Sequence, residues 1–336
     1  MYDVVIIGAG PAGLSAAIYV QRSGKKAVCL ESLLVGGQIV NTPEIANYPG
    51  IKKTSGFEFS MALYEQAIEL GADVDYEKAV SIKKLSELPD YEKGMLSHKY
   101  SKDMNIIADD FNQSGEGFDE NKYIFVYTES GKVYISRAVI IATGAKNRHL
   151  GIDKEEALTG HGISYCATCD GAFYKGKEVA VNGGGNTALE DALFLSNYCS
   201  KVYIIHRRDE FRGEPESLEV VKSKENVELV LNSTIEEIKG EDKLESVVVK
   251  NKVSGELREI PVAGLFIAIG QEPDNKAFES VAALDPAGYI DAGEDCTTKT
   301  PGVFVAGDCR TKSVRQLTTA ASDGAVAALA ACAYIS

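Results

Sequence analysis

One arrangement occurs twice in this chain, and it limits what the chain can fold into. Val4-Val5-Ile6-Ile7 runs directly into Gly8-Ala9-Gly10-Pro11-Ala12-Gly13, and Val179-Ala180-Val181 leads into Gly183-Gly184-Gly185-Asn186-Thr187-Ala188. Each reads as a buried strand, a tight glycine turn and the start of a helix. Helical stretches follow from Leu14 to Arg22 and from Leu189 to Asn197, and then further apolar strands from Lys26 to Glu31 and from Lys201 to His206. Strand–glycine turn–helix–strand is the unit of a doubly wound α/β domain that binds a dinucleotide, with the pyrophosphate on the helix N-terminus. One glycine turn would be weak evidence, whereas two inside matching units are strong.

A second echo extends the pattern. Ala138-Val139-Ile140-Ile141-Ala142-Thr143-Gly144 resembles Leu265-Phe266-Ile267-Ala268-Ile269-Gly270, each a buried strand ending in glycine. Val303-Phe304-Val305-Ala306 ends at Gly307-Asp308 and precedes a helix from about Gln316 to Ala333, with no glycine-turn start of its own. It therefore completes the first domain. The expectation is two Rossmann-like α/β domains, the second inserted in the first: residues 1–148 with 271–336, and residues 149–270.

The end of the second strand in each unit discriminates between nucleotides. Glu31 and His206 stand equally far after Gly8 and Gly183. A carboxylate at this point accepts the hydrogens of a ribose 2′-hydroxyl, so the first site suits FAD or NAD. At the second, His206 is followed by Arg207-Arg208-Asp209-Glu210-Phe211-Arg212. Guanidiniums clamp a 2′-phosphate that a carboxylate would repel, which favours NADPH.

Cys166-Ala167-Thr168-Cys169-Asp170 lies just before the second glycine turn. A Cys-x-x-Cys pair beside a strand–helix–strand unit reads as a redox dithiol, and Asp170 is placed to carry protons as a disulfide opens and closes. Zinc binding and an inert buried pair are the alternatives. No second Cys-x-x-Cys supplies the remaining zinc ligands, so no metal is expected. The other five cysteines, Cys29, Cys199, Cys296, Cys309 and Cys332, are scattered singly, unlike a secreted disulfide framework.

A formal net charge of −14 argues against nucleic acid or an anionic membrane surface as partner. No apolar run is long enough to span a bilayer. Met1-Tyr2-Asp3 passes straight into the first strand with no basic segment ahead of it, so a cytoplasmic location is expected. Residues 86–122 are rich in Ser, Asp, Glu, Lys and Asn and read as an irregular or hairpin insertion in the first domain.

Taken together, Cys166-Ala167-Thr168-Cys169-Asp170-Gly171, the second glycine turn and His206 through Arg212 resemble the low-molecular-weight bacterial thioredoxin reductases. Gly36-Gly37-Gln38, Asn47-Tyr48-Pro49-Gly50, Gly307-Asp308 and Arg315-Gln316-Leu317 match as well. The resemblance covers nearly the whole chain outside residues 86–122. It implies that FAD is held by Gly8, Gly10, Pro11, Ala12 and Gly13 with Glu31, Gly36, Gly37, Gln38, Asn47, Gly144, Gly307, Asp308, Arg315, Gln316 and Leu317. NADPH is then held by Gly183, Gly185, Asn186, Thr187, His206, Arg207, Arg208 and Arg212. Cys169 would face the flavin, Cys166 would attack the thioredoxin disulfide, and Asp170 would be the acid–base residue. The resemblance also implies a homodimer whose second domain rotates, so that nicotinamide and dithiol take turns at the flavin. Ferredoxin–NADP reductases of this architecture lack the dithiol, a dithiol oxidase would react with oxygen, and a non-catalytic redox sensor would bind FAD without turning over NADPH.

Overall fold

Val4–Ile7 has no polar residue and almost no exposed surface, which suits the centre of a parallel sheet covered on both faces. In the computed structural model, which describes residues 1–42, 44–114 and 119–336, it pairs in parallel with Ala27–Glu31 on one side and Ala138–Ile141 on the other. Asp73–Tyr76 and Val303–Val305 form the two edges of this five-stranded sheet. The strand from the C-terminal portion thus joins the sheet begun at the N-terminus.

Alternation along the central strand decides what covers each face. Val4 and Ile6 pack with Leu14, Ala17 and Ile18 of helix Pro11–Arg22 and with Ala327, Ala328 and Ala331 of helix Leu317–Tyr334. Val5 and Ile7 pack with Ile82, Ile124, Val126 and Tyr134 from an antiparallel three-stranded sheet, Ala79–Lys84, Ile124–Thr128 and Val133–Ser136. The two helices meet through small residues: a Cβ on Gly324 would run into the Ala12 carbonyl oxygen.

The same plan is repeated. A second parallel sheet runs Val227–Val230, Lys201–Ile205, Glu178–Gly183, Gly264–Ala268 and Ile163–Ser164. Val179 and Val181 pack with Ala188, Leu189, Ala192 and Leu195 of helix Asn186–Ser196. Ala180 faces the antiparallel strands Ser233–Lys239, Ser246–Asn251 and Leu257–Pro261. The chain divides into two compact units, Met1–Lys146 with Glu272–Ser336, and Asn147–Gln271. Among the described residues no helix is long and apolar enough to cross a membrane.

The segment expected to be irregular is instead largely helical. Asp90–Lys99 and Ser101–Ser114 form two helices that bury Leu96, Met104 and Ile107 against Leu85, Leu88, Tyr123, Phe125 and Ile135. Residues 115–118 of that segment lie outside the described residues. Leu96, Tyr100, Met104 and Ile107 follow helical spacing, but the charged and polar residues between them hide the stripe in the overall composition. Pro89 sets the extended residue before the first of these helices, and Asp90 and Glu92 favour its N-terminal end. Leu96 is the central buried side chain of this small core. Leu96→Ala is expected to cost about 2–4 kcal/mol, seen as a lower thermal midpoint and faster proteolysis within residues 90–114.

Candidate functional site

In the first unit the glycines are fixed by close approach. Gly8 has φ +107°, and a Cβ there would overlap the Ala142 carbonyl oxygen at the end of the adjacent strand. Gly13 packs on the Gly8 carbonyl with equally little room. Gly10 precedes the helix with extended backbone and no side-chain cap, Pro11 occupies its first turn, and no acidic residue stands there. The first N–H groups of that helix are therefore available to an anion. Ala12 lies beside Gly307, where a Cβ would meet the Ala12 methyl at 2.8 Å.

Glu31, buried at the end of its strand, accepts from the Ala9 N–H (2.9 Å) and the Leu33 N–H (2.8 Å), with lone pairs left for a ligand hydroxyl. Gly36 donates to the Ala9 carbonyl (2.8 Å), and Gly37, at φ +63°, brings its backbone against Gly10. The Gln38 side chain donates to the Ala145 carbonyl, one residue past Gly144. Asn47 donates to the Gln316 side chain (3.3 Å), and Gln316 caps the helix that Leu317 begins. Sequence-distant segments thus converge around one turn.

Asp308 is the informative residue here. Its Oδ1 is buried without a hydrogen-bond partner, and burial raises its carboxyl above the usual range, with Lys312 and Arg315 opposing. An orphaned oxygen in a polar cradle fits a hydroxyl-bearing ligand. Arg315 holds the turn from outside, donating to the carbonyls of Asp308 and Arg310 (3.3 Å each) with its guanidinium over the Tyr289 ring at 4.1 Å. Beneath the turn lies a buried ion cluster that sequence reading did not anticipate. Asp323, on the last helix, accepts from the Gly307 N–H (3.0 Å), from Arg310 Nε and Nη2 (2.8 and 3.0 Å) and from Lys312 (2.8 Å). Nothing in local spacing marks these residues, because the partners come from a turn and the face of a helix.

In the second unit a Cβ on Gly183 would meet the Ala268 carbonyl oxygen, and one on Gly184 would overlap the His206 ring. Gly185 precedes helix Asn186–Ser196 without a side-chain cap, and no acidic residue occupies the first turn. The arginine-bearing segment folds back onto this turn: the Arg212 N–H donates to the Gly184 carbonyl and the Glu214 N–H to Asn186 Oδ1, both at 2.7 Å. Arg207, Arg208, Arg212 and Thr187 are exposed beside it. His206 is buried, stacked on Phe211 at 4.9 Å, and its Nε2 lies 3.0 Å from the Glu210 carbonyl. Burial lowers its pKa and three arginines add to that, so the ring is neutral with the hydrogen on Nε2. Its packing shapes the floor of the turn, while the exposed positive charge is carried by the arginines.

Cys166 and Cys169 are joined as a disulfide, with Cα atoms 5.3 Å apart, around the single turn Ala167–Asp170. The remaining five cysteines are buried and unpaired. Cys166 Sγ lies 3.4 Å from the Thr168 hydroxyl. Asp170 is pushed above the usual carboxyl range by burial, opposed by a hydrogen bond from Ser164 (2.6 Å), and its Oδ1 is buried with no partner. The preceding Tyr165 donates to Glu155 (2.8 Å) and lies 2.9 Å from His149 Nδ1, which ties the dithiol peptide to the start of this unit. Against its burial, the Leu150 and Gly151 N–H groups and Tyr165 hold Glu155 below the usual range. Ser164, Tyr165 and Glu155 were not singled out from the sequence. A serine two residues before the first cysteine was the available signal for Ser164.

The chain matches the family of pyridine nucleotide-disulphide oxidoreductases over residues 2–324. A thioredoxin reductase of Listeria innocua is 39% identical over 336 residues, covering 100% of this chain and 94% of that one. That of Bacillus subtilis is 37% identical, covering 100% and 95%. Among solved structures, the thioredoxin reductase from Streptococcus pyogenes superposes with a TM-score of 0.85 at 34% identity, covering 99% of this chain and 98% of that one.

The Asp323 cluster carries an expected outcome. Asp323→Asn keeps the shape but leaves Lys312 without its buried carboxylate and Arg310 with only the exposed Glu294 carboxylate (3.3 Å), costing about 3–5 kcal/mol. Despite burial, the two cations hold the Asp323 carboxyl below the usual range. Its contribution is therefore complete above the unfolded carboxylate pKa and lost as pH falls through the depressed folded value. Thermal midpoints of both proteins against pH should show a constant gap at neutral pH that closes only in acid.

Proposed function

Because the chain belongs to the pyridine nucleotide-disulphide oxidoreductase family, we propose that it is an NADPH-dependent thioredoxin-disulfide reductase whose working group is the Cys166–Cys169 disulfide. One observation carries this reading. A disulfide pair with a burial-raised carboxyl beside it, one of whose oxygens lacks a partner, shares a unit with a glycine turn flanked by three exposed arginines. That unit holds NADPH: the N-terminus of helix Asn186–Ser196 takes the pyrophosphate, and Arg207, Arg208 and Arg212 clamp the 2′-phosphate.

The other unit holds FAD. Gly8 through Gly13 present the helix N-terminus to the pyrophosphate, Glu31 receives a ribose hydroxyl, and the orphaned oxygen of Asp308 receives a further hydroxyl. Gly36, Gly37, Gln38, Asn47, Gly144, Arg315, Gln316 and Leu317 complete the cradle. Bound FAD supplies two-electron chemistry between the NADPH hydride and the disulfide. Once the pair is reduced, Cys166 attacks as thiolate and displaces one sulfur of the substrate disulfide. Cys169 then attacks the mixed disulfide, restoring the Cys166–Cys169 bond and releasing the second substrate sulfur. Asp170 takes a proton from the attacking thiol and returns it to the departing one.

The substrate is a thioredoxin or a thioredoxin-like protein. A homodimer is the working unit, as the family resemblance implies. Five buried thiols and an NADPH-fed dithiol suit a reducing compartment, which supports a cytoplasmic location. A net charge of −14 disfavours nucleic acid as a partner.

Cys166→Ser and Cys169→Ser should each abolish NADPH-driven reduction of oxidised thioredoxin while NADPH still bleaches the flavin in stopped flow. Full turnover by either variant removes the dithiol from the reaction. Arg207→Ala combined with Arg208→Ala should raise the KM for NADPH by about 10- to 100-fold for each arginine lost, with little change for NADH. Equal losses with both nucleotides would mean that the arginines do not read the 2′-phosphate.

A further inference from the structure

Among the described residues, the acid–base residue beside the dithiol is held by one side chain, Ser164. Ser164 is buried at the end of the two-residue strand Ile163–Ser164, whose register against Leu265–Phe266 fixes its place in the second sheet. Its oxygen accepts from the Cys166 N–H at 3.0 Å, and its hydroxyl hydrogen faces two acceptors, Asp170 Oδ2 at 2.6 Å and the Cys166 carbonyl at 3.3 Å. We infer that Ser164 is a positioning residue for proton transfer at the dithiol: its hydroxyl fixes Asp170 through Oδ2, ties that carboxyl to the Cys166 peptide, and follows the carboxyl through both protonation states. This inference rests on the reductase reading above and deepens it.

The hydroxyl's bonding capacity supports the assignment. A serine oxygen donates one hydrogen and accepts two. With Asp170 ionised, the hydrogen goes to Oδ2, the shorter and charge-assisted bond. With Asp170 protonated on Oδ2, the carboxyl donates to Ser164, whose own hydrogen turns to the Cys166 carbonyl. Both states are thus hydrogen-bonded without movement of the backbone. An apolar side chain at this position would leave Oδ2 as orphaned as Oδ1 already is.

Among the described residues, burial, which raises it, and Ser164, which lowers it, are the influences that set the Asp170 carboxyl. Tyr174, on the following turn, is held neutral, its phenol raised to about 12 by burial, by Asp170 and by Cys199. Cys199 beyond it is raised to about 11 by burial. On the neighbouring helix, Asp191 is raised to about 7 by burial and by Glu190. Cys166 and Cys169 carry charge only once reduced.

The test is the pH dependence of the reduced holoenzyme. Dithiothreitol-reduced enzyme is freed of reductant and its dithiol alkylated with iodoacetamide across a pH series. The same proteins are then followed through a single turnover with oxidised thioredoxin. Ser164→Ala should move the ionisation that depends on Asp170 upward by about one pH unit in both measurements, and Ser164→Thr should restore it. Ser164→Gly serves as a second deletion of the hydroxyl, and an unchanged far-ultraviolet circular dichroism spectrum and thermal midpoint verify folding. In an Asp170→Asn background, adding Ser164→Ala should leave the profile unchanged. Coincident profiles for wild type and both deletions, or an equal shift without Asp170, would overturn the inference. Failure of the wild type to reduce thioredoxin with NADPH would sink the reductase reading instead, while the alkylation profile still reports on Ser164.

Discussion

Both units depend on the same steric constraint: where the central strand of each sheet hands over to its helix, there is no space for a side chain. At Gly8 the obstacle is the carbonyl oxygen of Ala142, and at Gly183 it is that of Ala268, each at the end of the neighbouring parallel strand. The handover therefore occurs at full contact with the sheet, and the helix N-terminus emerges directly over the strand ends. Unfilled N–H groups, an uncapped glycine and a first turn free of carboxylates follow at both places. A side chain at either glycine would collide with the neighbouring strand and displace the turn that presents the helix N-terminus.

On this shared frame the two units place their buried carboxylates in opposite situations. Asp323 is surrounded by donors, the Gly307 N–H, Arg310 and Lys312, and is held ionised. Such a carboxylate fixes a turn and has no reason to exchange protons. Asp170 has one donor and one bare oxygen and is raised by burial, which brings the two protonation states closer in energy near neutral pH. The paired carboxylate is suited to holding a turn, and the under-paired one to the proton transfer proposed for it. Asp308 lies between them: it is orphaned like Asp170 but positioned over the Asp323 cluster, as a ligand-binding group would be.

Much of this was legible in the chain. Runs such as Val4–Ile7 and Val179–Val181, each ending in glycine, announced parallel strands with nucleotide turns, because strands buried on both faces lose polar alternation. The contrast of Glu31 with the arginines after His206 was equally open to reading, since it depends on charge sign at a fixed place in a repeated unit. The helices at Asp90–Lys99 and Ser101–Ser114 were missed because charged and polar residues outnumber the buried Leu96, Met104 and Ile107 along the segment. Composition pointed to a loop, and burial of Leu96 against Tyr123 and Phe125, strands' distance away, supplied the stability that local pattern lacked.

The sequence by itself determined the repeated α/β plan, the two nucleotide turns and the dithiol, all of which are encoded by residues near one another in the chain. Only the tertiary structure decided how protons and charges are managed around them. That Ser164 reaches Asp170, that Asp323 gathers Arg310 and Lys312 under Gly307, and that His206 serves as packing under Gly184 each depend on where folded segments bring side chains together. The physical reason is range. Backbone turns and hydrophobic periodicity are local properties of a chain, whereas a buried polar group is satisfied by whichever donor the fold delivers to it.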